Sequence, residues 1–360
     1  MKVKFKMKKS NKLEIIQDNL FSITLQLTKK CSFDCVFCGQ SISRKVNKEK
    51  SFLNRKKISE ILIDAKKLNV KSVNFTGGEP TSRSDLISII NEASSLGLKS
   101  NLLTNGFNLN EVFCNKLISA GLNYLTISLH SSNEKNHDLI CNMPGSFKKL
   151  IKAIKYLKSI KNDLKVRVTY TLHSNNYLGS HRMLALASKL GVDSINFSQI
   201  VFSNDMITNN LRLSKEQMKK FYFQIAPLLL RDEIKSNVKV RLEPFFPSLI
   251  HKSKVYQIYK LLNHKKSFDK EIDFYLNEDY NCGLYMTLPC AEALRSSRIQ
   301  ANGEVAICCD SEEENLSIGN INNQRFFDIW NSYRYKKLRS LEFYPKSKLC
   351  KYCKRDFFKR

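Results

Sequence analysis

Three cysteines spaced C-x3-C-x2-C (Cys31, Cys35 and Cys38) follow directly on an apolar, β-branched run from Phe21 to Leu27. A strand that delivers three thiols into one short loop constrains this chain more than any other feature. Cysteine thiolates are the usual protein ligands of iron–sulfur clusters, and three of them hold three irons of a [4Fe–4S] cube while the fourth stays open to a further ligand. A tetrahedral zinc site needs a fourth donor, and no His or Cys follows within the next several residues.

Beyond the loop, the hydrophobic period switches repeatedly between helical and extended spacing. Ile58, Ile61, Leu62, Ala65 and Leu68 predict a helix over 54–68, and a strand over 70–75 runs into Thr76-Gly77-Gly78-Glu79-Pro80. A helix over 84–96 is followed by Gly97 in the C′ position, and a strand over 99–103 ends in Thr104-Asn105-Gly106. Helices over 110–120, 146–160 (Ser146 as N-cap) and 181–190 alternate with strands over 124–129, 165–172 and 194–201. Such alternation specifies βαβ units and a parallel sheet. Six units fit a partial (β/α)6 barrel, whose chemistry belongs at the C-terminal ends of its strands. The cysteines, Gly77-Gly78-Glu79, Thr104-Asn105-Gly106, Ser128 and His130 all fall there.

From 204 to about 280 the signals weaken. Ser214, with Gln217 three residues on, opens a helix, and Pro227, Pro244 and Pro247 interrupt the rest, which reads as a helical bridge. The tail carries Cys290 and Cys308 (C-x17-C) and then Cys350 and Cys353 (C-x2-C). Four thiolates close a second cluster with every iron ligated. A zinc ribbon offers a similar pattern, and Cys282 or Cys309 could substitute as ligands. Residues 298–307 read as a hairpin turning at Asn302-Gly303. Cys114, on a helix face with Leu117 and Ile118, belongs to the core. His130, His137 and His173, at or near strand ends, read as polar lining or as groups that touch substrate.

Sixty Lys+Arg against 33 Asp+Glu give a net charge of +27. The excess is scattered along the helices without interleaved aromatics, which describes solvated faces better than a nucleic-acid surface. No 18-residue apolar run spans a membrane, and the basic stretch 1–12 has no apolar segment behind it to act as a secretory signal. Eleven cysteines in such a chain point to metal centres in a reducing, cytoplasmic setting.

The cysteine loop, with Phe37 before its last Cys and Gly77-Gly78-Glu79-Pro80 one βα unit later, resembles the radical S-adenosylmethionine (SAM) enzymes. Ile318-Gly319-Asn320-Ile321, then Phe326 to Trp330, then the closing C-x2-C are similar to members with a twitch domain, the shortened form of the SPASM domain. The resemblance implies a barrel core over 1–203, a bridge over 204–280 and a small α+β twitch/SPASM-like domain over 281–360. It implies a [4Fe–4S] cluster on Cys31, Cys35 and Cys38 with SAM on its open iron, and an auxiliary [4Fe–4S] cluster on Cys290, Cys308, Cys350 and Cys353. Gly77, Gly78 and Glu79 would meet the methionyl ammonium, largely through backbone acceptors. Phe37 would lie near the adenine, or serve as a core aromatic at the barrel mouth. Ser128 would touch the ribose or carboxylate, while Asn196 and Ser198 are adenosine neighbours or plain lining. His137-Asp138-Leu139-Ile140-Cys141 resembles the family's His-Asp-x-x-Arg, with Cys141 in place of Arg.

The activity so implied begins with one electron from an external flavodoxin- or ferredoxin-like reductant. SAM splits to methionine and a 5′-deoxyadenosyl radical, which takes a hydrogen atom from a substrate in the barrel. That substrate is a peptide or protein side chain, or a small molecule such as an aminosugar or nucleoside. A non-catalytic zinc and nucleic-acid-binding protein is the contrasting class, and it predicts zinc in place of iron and a steep salt dependence.

Overall fold

The computed structural model describes residues 5–7, 13–15, 20–40, 52–200, 211–242, 254–263, 295–306 and 317–339. Strands β1 (Phe5–Met7) and β2 (Leu13–Ile15) pair antiparallel with each other. The expected units follow as β3 (Ser22–Gln26), β4 (Ser72–Thr76), β5 (Lys99–Thr104), β6 (Tyr124–Ser128), β7 (Lys165–Leu172) and β8 (Ser194–Gln199). They pair in chain order, all parallel. Between and behind them run α1 (Arg55–Lys67), α2 (Leu86–Ser95), α3 (Glu111–Ser119), α4 (Glu134–Cys141), α5 (Ser146–Ser159) and α6 (Ser180–Lys189). Asn54 and Asn110 cap α1 and α3 by accepting from the backbone N–H groups of Lys56 and Phe113.

The period-two pattern sorts the strands into two faces. Val73, Phe75, Leu102, Leu125, Ile127, Val168 and Phe197 are fully buried against the helices. Burying each such side chain stabilises the fold by about 1.5–3 kcal/mol. The inward positions are polar and half-buried. Thr126 Oγ1 donates to Asn101 Oδ1 (2.9 Å), Asn101 Nδ2 to Asn74 Oδ1 (3.1 Å) and Asn74 Nδ2 to Thr24 Oγ1 (3.3 Å), a chain of hydrogen bonds across four strands.

The sheet is wider than six strands. After α7 (Lys215–Lys220), a π-helical turn at Phe221–Ile225 and α8 (Ala226–Lys235), strand β9 (Lys239–Leu242) adds parallel to β8. Ser214 and Gln217 form the expected capping box of α7. Helix α9 (Lys254–Asn263) follows. At the other edge β10 (Ser296–Ile299) adds parallel to β3, then β11 (Glu304–Ala306) and β12 (Gly319–Asn320) continue antiparallel, making ten strands. The hairpin expected at Asn302-Gly303 is the β10–β11 pair, so the C-terminal region enters the barrel's own sheet. Last come α10 (Phe326–Asn331) and α11 (Tyr333–Arg339). Buried Asp64 on α1 accepts both Arg325 Nη2 (2.7 Å) and Nε (3.0 Å), which clasps α10 to the core.

One expected cap is corrected. Ser146 is the first residue of α5 and Gly145 its N-cap. The Ser146 hydroxyl donates to Asp138 (2.8 Å), whose carboxylate also accepts the N–H groups of Gly145 (2.6 Å) and Phe147 (2.9 Å). An acid from the preceding helix thus does the capping, at the positive end of the α5 dipole.

Candidate functional site

The cysteine loop leaves β3 at the C-terminal end of the barrel and is tied to the following βα loops in turn. Arg83 Nη1 donates to the carbonyls of Leu27 (3.0 Å) and Leu53 (2.9 Å) at its root. The N–H of Gly78 donates to the Thr28 carbonyl (2.6 Å) and that of Glu79 to the Lys30 carbonyl (2.7 Å). A Cβ on Gly77 would collide with the Thr28 carbonyl, and one on Gly78 with the Lys30 carbonyl. The two glycines are therefore required where the motif's backbone seats the cysteine loop. Phe33 stacks edge-on against Phe107 after β5, and the Val36 N–H donates to the carbonyl of Ile140 at the end of α4 (3.0 Å). The three thiols are half-buried, and Cys31 Sγ accepts from the N–H of Phe33 (3.4 Å) and from Asn105 Nδ2 (3.7 Å).

Glu79 is 1% exposed. Its Oε1 accepts Thr81 N–H (2.9 Å), Thr81 Oγ1 (2.6 Å) and Thr104 Oγ1 (2.6 Å), and its Oε2 accepts Asn105 N–H (2.7 Å). Burial pushes its pKa up, while the hydrogen bonds from Thr104, Thr81 and Asn105 pull the other way. Its carboxylate binds two neighbouring βα loops together and fixes Asn105 against Cys31. An approaching ammonium would meet the backbone here, since this carboxylate is already taken by four donors.

Phe37 is half-buried and leans on a group of histidines. Its ring lies edge-on to His130 at 4.7 Å and tilted to His173 at 6.2 Å, while His130 and His137 stack at 6.1 Å. Each imidazole is oriented by a backbone N–H donating to Nδ1: Thr171 to His130 (3.1 Å), His130 to His137 (3.2 Å) and Asn175 to His173 (3.3 Å). Burial lowers His137 and His173 to about 4. Burial first, then the neighbouring imidazoles, holds His130 well below its ordinary value. All three are neutral at pH 7, with the proton on Nε2. The His137 Nε2–H points at Cys141 Sγ (3.6 Å), so Cys141 is the histidine's partner.

The remaining predicted residues line the inner wall. Ser128 ends β6, opposite Thr169, and Asn196 and Ser198 on β8 pair with Thr169 and Thr171. Asn196 Oδ1 and His173 Nε2 are both buried and have no protein partner. Buried polar atoms are normally paired, and these two are exceptions on the β7–β8 side of the sheet. Cys290, Cys308, Cys350 and Cys353, with the alternates Cys282 and Cys309, lie outside the described residues. Cys114 is buried in the core, as expected.

The donor set fits a cluster. Three half-buried thiols share one loop, and the sulfur of Cys31 receives two N–H donors. Among the described residues no three of His, Cys, Asp and Glu converge on a single metal-ion site. The ligands of a cube bind different irons and stand further apart than those of one ion. Of the residues that complete the site, Thr81 was not singled out by the sequence, and Thr104 and Asn105 were placed by it at the barrel's reactive end without a role. The signal for them was the polar Thr104-Asn105-Gly106 at a strand's C-terminal end.

Residues 25–176 match the family model of the radical SAM superfamily, and residues 290–354 match that of the SPASM iron–sulfur cluster-binding domain. The PqqA peptide cyclase of Gluconobacter oxydans is 25% identical over 201 residues, 55% of each chain. A probable GTP 3′,8-cyclase of Saccharolobus solfataricus is 29% identical over 182 residues, 50% of this chain and 57% of that one. The chain spans about half the length of the curated relatives it matches. The structure of Streptococcus suis SuiB bound to S-adenosylmethionine superposes with a TM-score of 0.69 at 17% identity, over 97% of this chain and 74% of SuiB, a likeness of fold.

Proposed function

This chain belongs to the radical SAM superfamily and carries a SPASM-type iron–sulfur domain, and from that premise we propose that it cleaves SAM reductively and modifies a peptide or protein side chain held in the barrel. Its cofactors are a [4Fe–4S] cluster, SAM and auxiliary iron–sulfur. Cys31, Cys35 and Cys38 would hold the first cluster, and Cys290, Cys308, Cys350 and Cys353 the auxiliary one. When bound, this set supplies one-electron, hydrogen-abstracting chemistry, with the protein left to position and shield it.

The chain's own groups do the positioning. Gly77 and Gly78 let the motif's backbone seat the cysteine loop, and Glu79 locks Asn105 against Cys31. Phe37, Ser128, Asn196 and Ser198 would frame the nucleoside. Buried His173 offers it a donor whose tautomer is set by Asn175. An external one-electron reductant in a cytoplasmic setting completes the reading. No helix among the described residues is long and apolar enough to cross a membrane. We place the core at 1–203, the bridge at 204–280 and the auxiliary-cluster domain at 281–360.

The observation that carries the reading is the cysteine loop bonded through Thr28 and Lys30 to Gly78 and Glu79. Peptide relatives, PqqA peptide cyclase among them and SuiB with its precursor peptide SuiA, favour a peptide substrate. The GTP 3′,8-cyclase relatives favour a nucleotide as the second reading. The test is anaerobic reconstitution followed by dithionite and SAM. Wild type should form 5′-deoxyadenosine and hold on the order of eight irons per chain. Cys35→Ala should form none, and 5′-deoxyadenosine from that variant would refute the assignment.

A further inference from the structure

Among the described residues, the inward positions of the sheet's strands β3 to β10 carry cations and no carboxylate. Every charged residue in an inward-facing position there is basic: Lys99, Lys165 and Lys239 at the N-terminal ends, Arg167 and Arg241 two residues beyond Lys165 and Lys239, and Arg298 on β10. Register places these arginines on the polar face. Arg298 pairs with Thr24, Arg167 with Thr126 and Arg241 with Asn196. The Arg167 guanidinium lies 3.7 Å over the Tyr124 ring, half-buried. Asp193, whose charge acts on Arg167, is already held by Lys158 (2.6 Å), Lys165 (3.5 Å) and the Val166 N–H (2.9 Å). Burial, then the like charge of Arg241, presses the Arg167 pKa down, against the opposing pull of Tyr124 and Asp193.

We propose that Arg167 and Arg241 bind the carboxylate of an acidic side chain, Asp or Glu, in the peptide substrate. A guanidinium fork matches a carboxylate, and here a half-buried Arg167 stands near an exposed Arg241. The site lies well below the reacting end. Arg167 precedes Leu172 by five residues, about 16 Å at the rise of a strand. An extended peptide covers that distance in about five residues, so the acidic anchor and the modified residue stand about that far apart in sequence. This inference rests on the peptide reading above.

The test is arginine footprinting with phenylglyoxal on the reconstituted protein, read by peptide mass spectrometry. The probes are N-acetyl-glutamate amide and N-acetyl-glutamine amide. The glutamate probe should slow modification of Arg167 and Arg241 roughly tenfold at saturation and leave exposed Arg182 and Arg334 unchanged, while the glutamine probe should protect none of them. Equal slowing at all four arginines, or none at Arg167 and Arg241, overturns the proposal. SAM cleavage by the same preparation separates the two failures. Cleavage without protection sinks this inference alone, and no cleavage removes the reading beneath it as well.

Discussion

Glu79 at the end of β4 and His173 at the end of β7 are equally buried, at 1% exposure, yet their polar atoms are used in opposite ways. The carboxylate of Glu79 accepts four hydrogen bonds from Thr81, Thr104 and Asn105. His173 accepts one at Nδ1 and leaves its Nε2–H without a protein partner, as Asn196 leaves its Oδ1. The side of the mouth that carries the cysteine loop is finished as protein, and it holds that loop whether or not a ligand is present. The opposite side keeps buried polar atoms that no described protein group satisfies. On the proposed reading, scaffold and recognition are thus separated across one barrel opening.

Breaking the finished side should cost most. Glu79→Ala leaves four aimed donors without their buried acceptor and should destabilise the apoprotein by roughly 3 kcal/mol or more, at about 1–3 kcal/mol for each stranded donor. Urea unfolding measures this, and a change below about 1 kcal/mol would show that the network carries little.

The histidines come next, through pH. Their folded pKa values lie below the unfolded 6.5, so the unfolded chain binds protons that the folded chain refuses. Their contribution is complete above pH 6.5 and is lost as pH falls toward about 4 for His137 and His173. Each is worth about 3 kcal/mol across that window, at 1.36 kcal/mol per pKa unit. His137→Phe should flatten the acid limb of the stability curve, and an unchanged limb would place the titration elsewhere.

The smallest stability effects belong to the ligand side. His173→Phe removes a donor with no protein partner, so stability should move by less than about 1 kcal/mol. SAM affinity, measured by calorimetry on the reconstituted protein, should fall about tenfold, one hydrogen bond's worth, and His173→Gln should recover part of it. A large stability loss with unchanged affinity would reverse the comparison.

The repeating units were legible because each strand buries one face and each helix carries its own signals, as Asn54 and Asn110 show. The Cys31 loop and Gly77-Gly78 were legible because thiols and glycines at such spacings have few other uses. The shell of Glu79 was not, because Thr104 and Asn105 come from a different loop that only the closed sheet brings near. Strand β9 escaped because four residues are too few to establish a period, and the pairing of β10 with β3 escaped because a hairpin pattern does not say which sheet it joins. The role of Ser146 went to Asp138 because a capping acid arrived from another helix, which no local pattern announces.

The account stands most directly on low-temperature EPR of the dithionite-reduced protein before and after SAM is added. Wild type should show a reduced [4Fe–4S] signal that shifts with SAM, and Cys31→Ala, Cys35→Ala and Cys38→Ala should each lose that responsive signal. A SAM-responsive cluster signal that survives in any of the three would contradict the assignment of the cysteine loop.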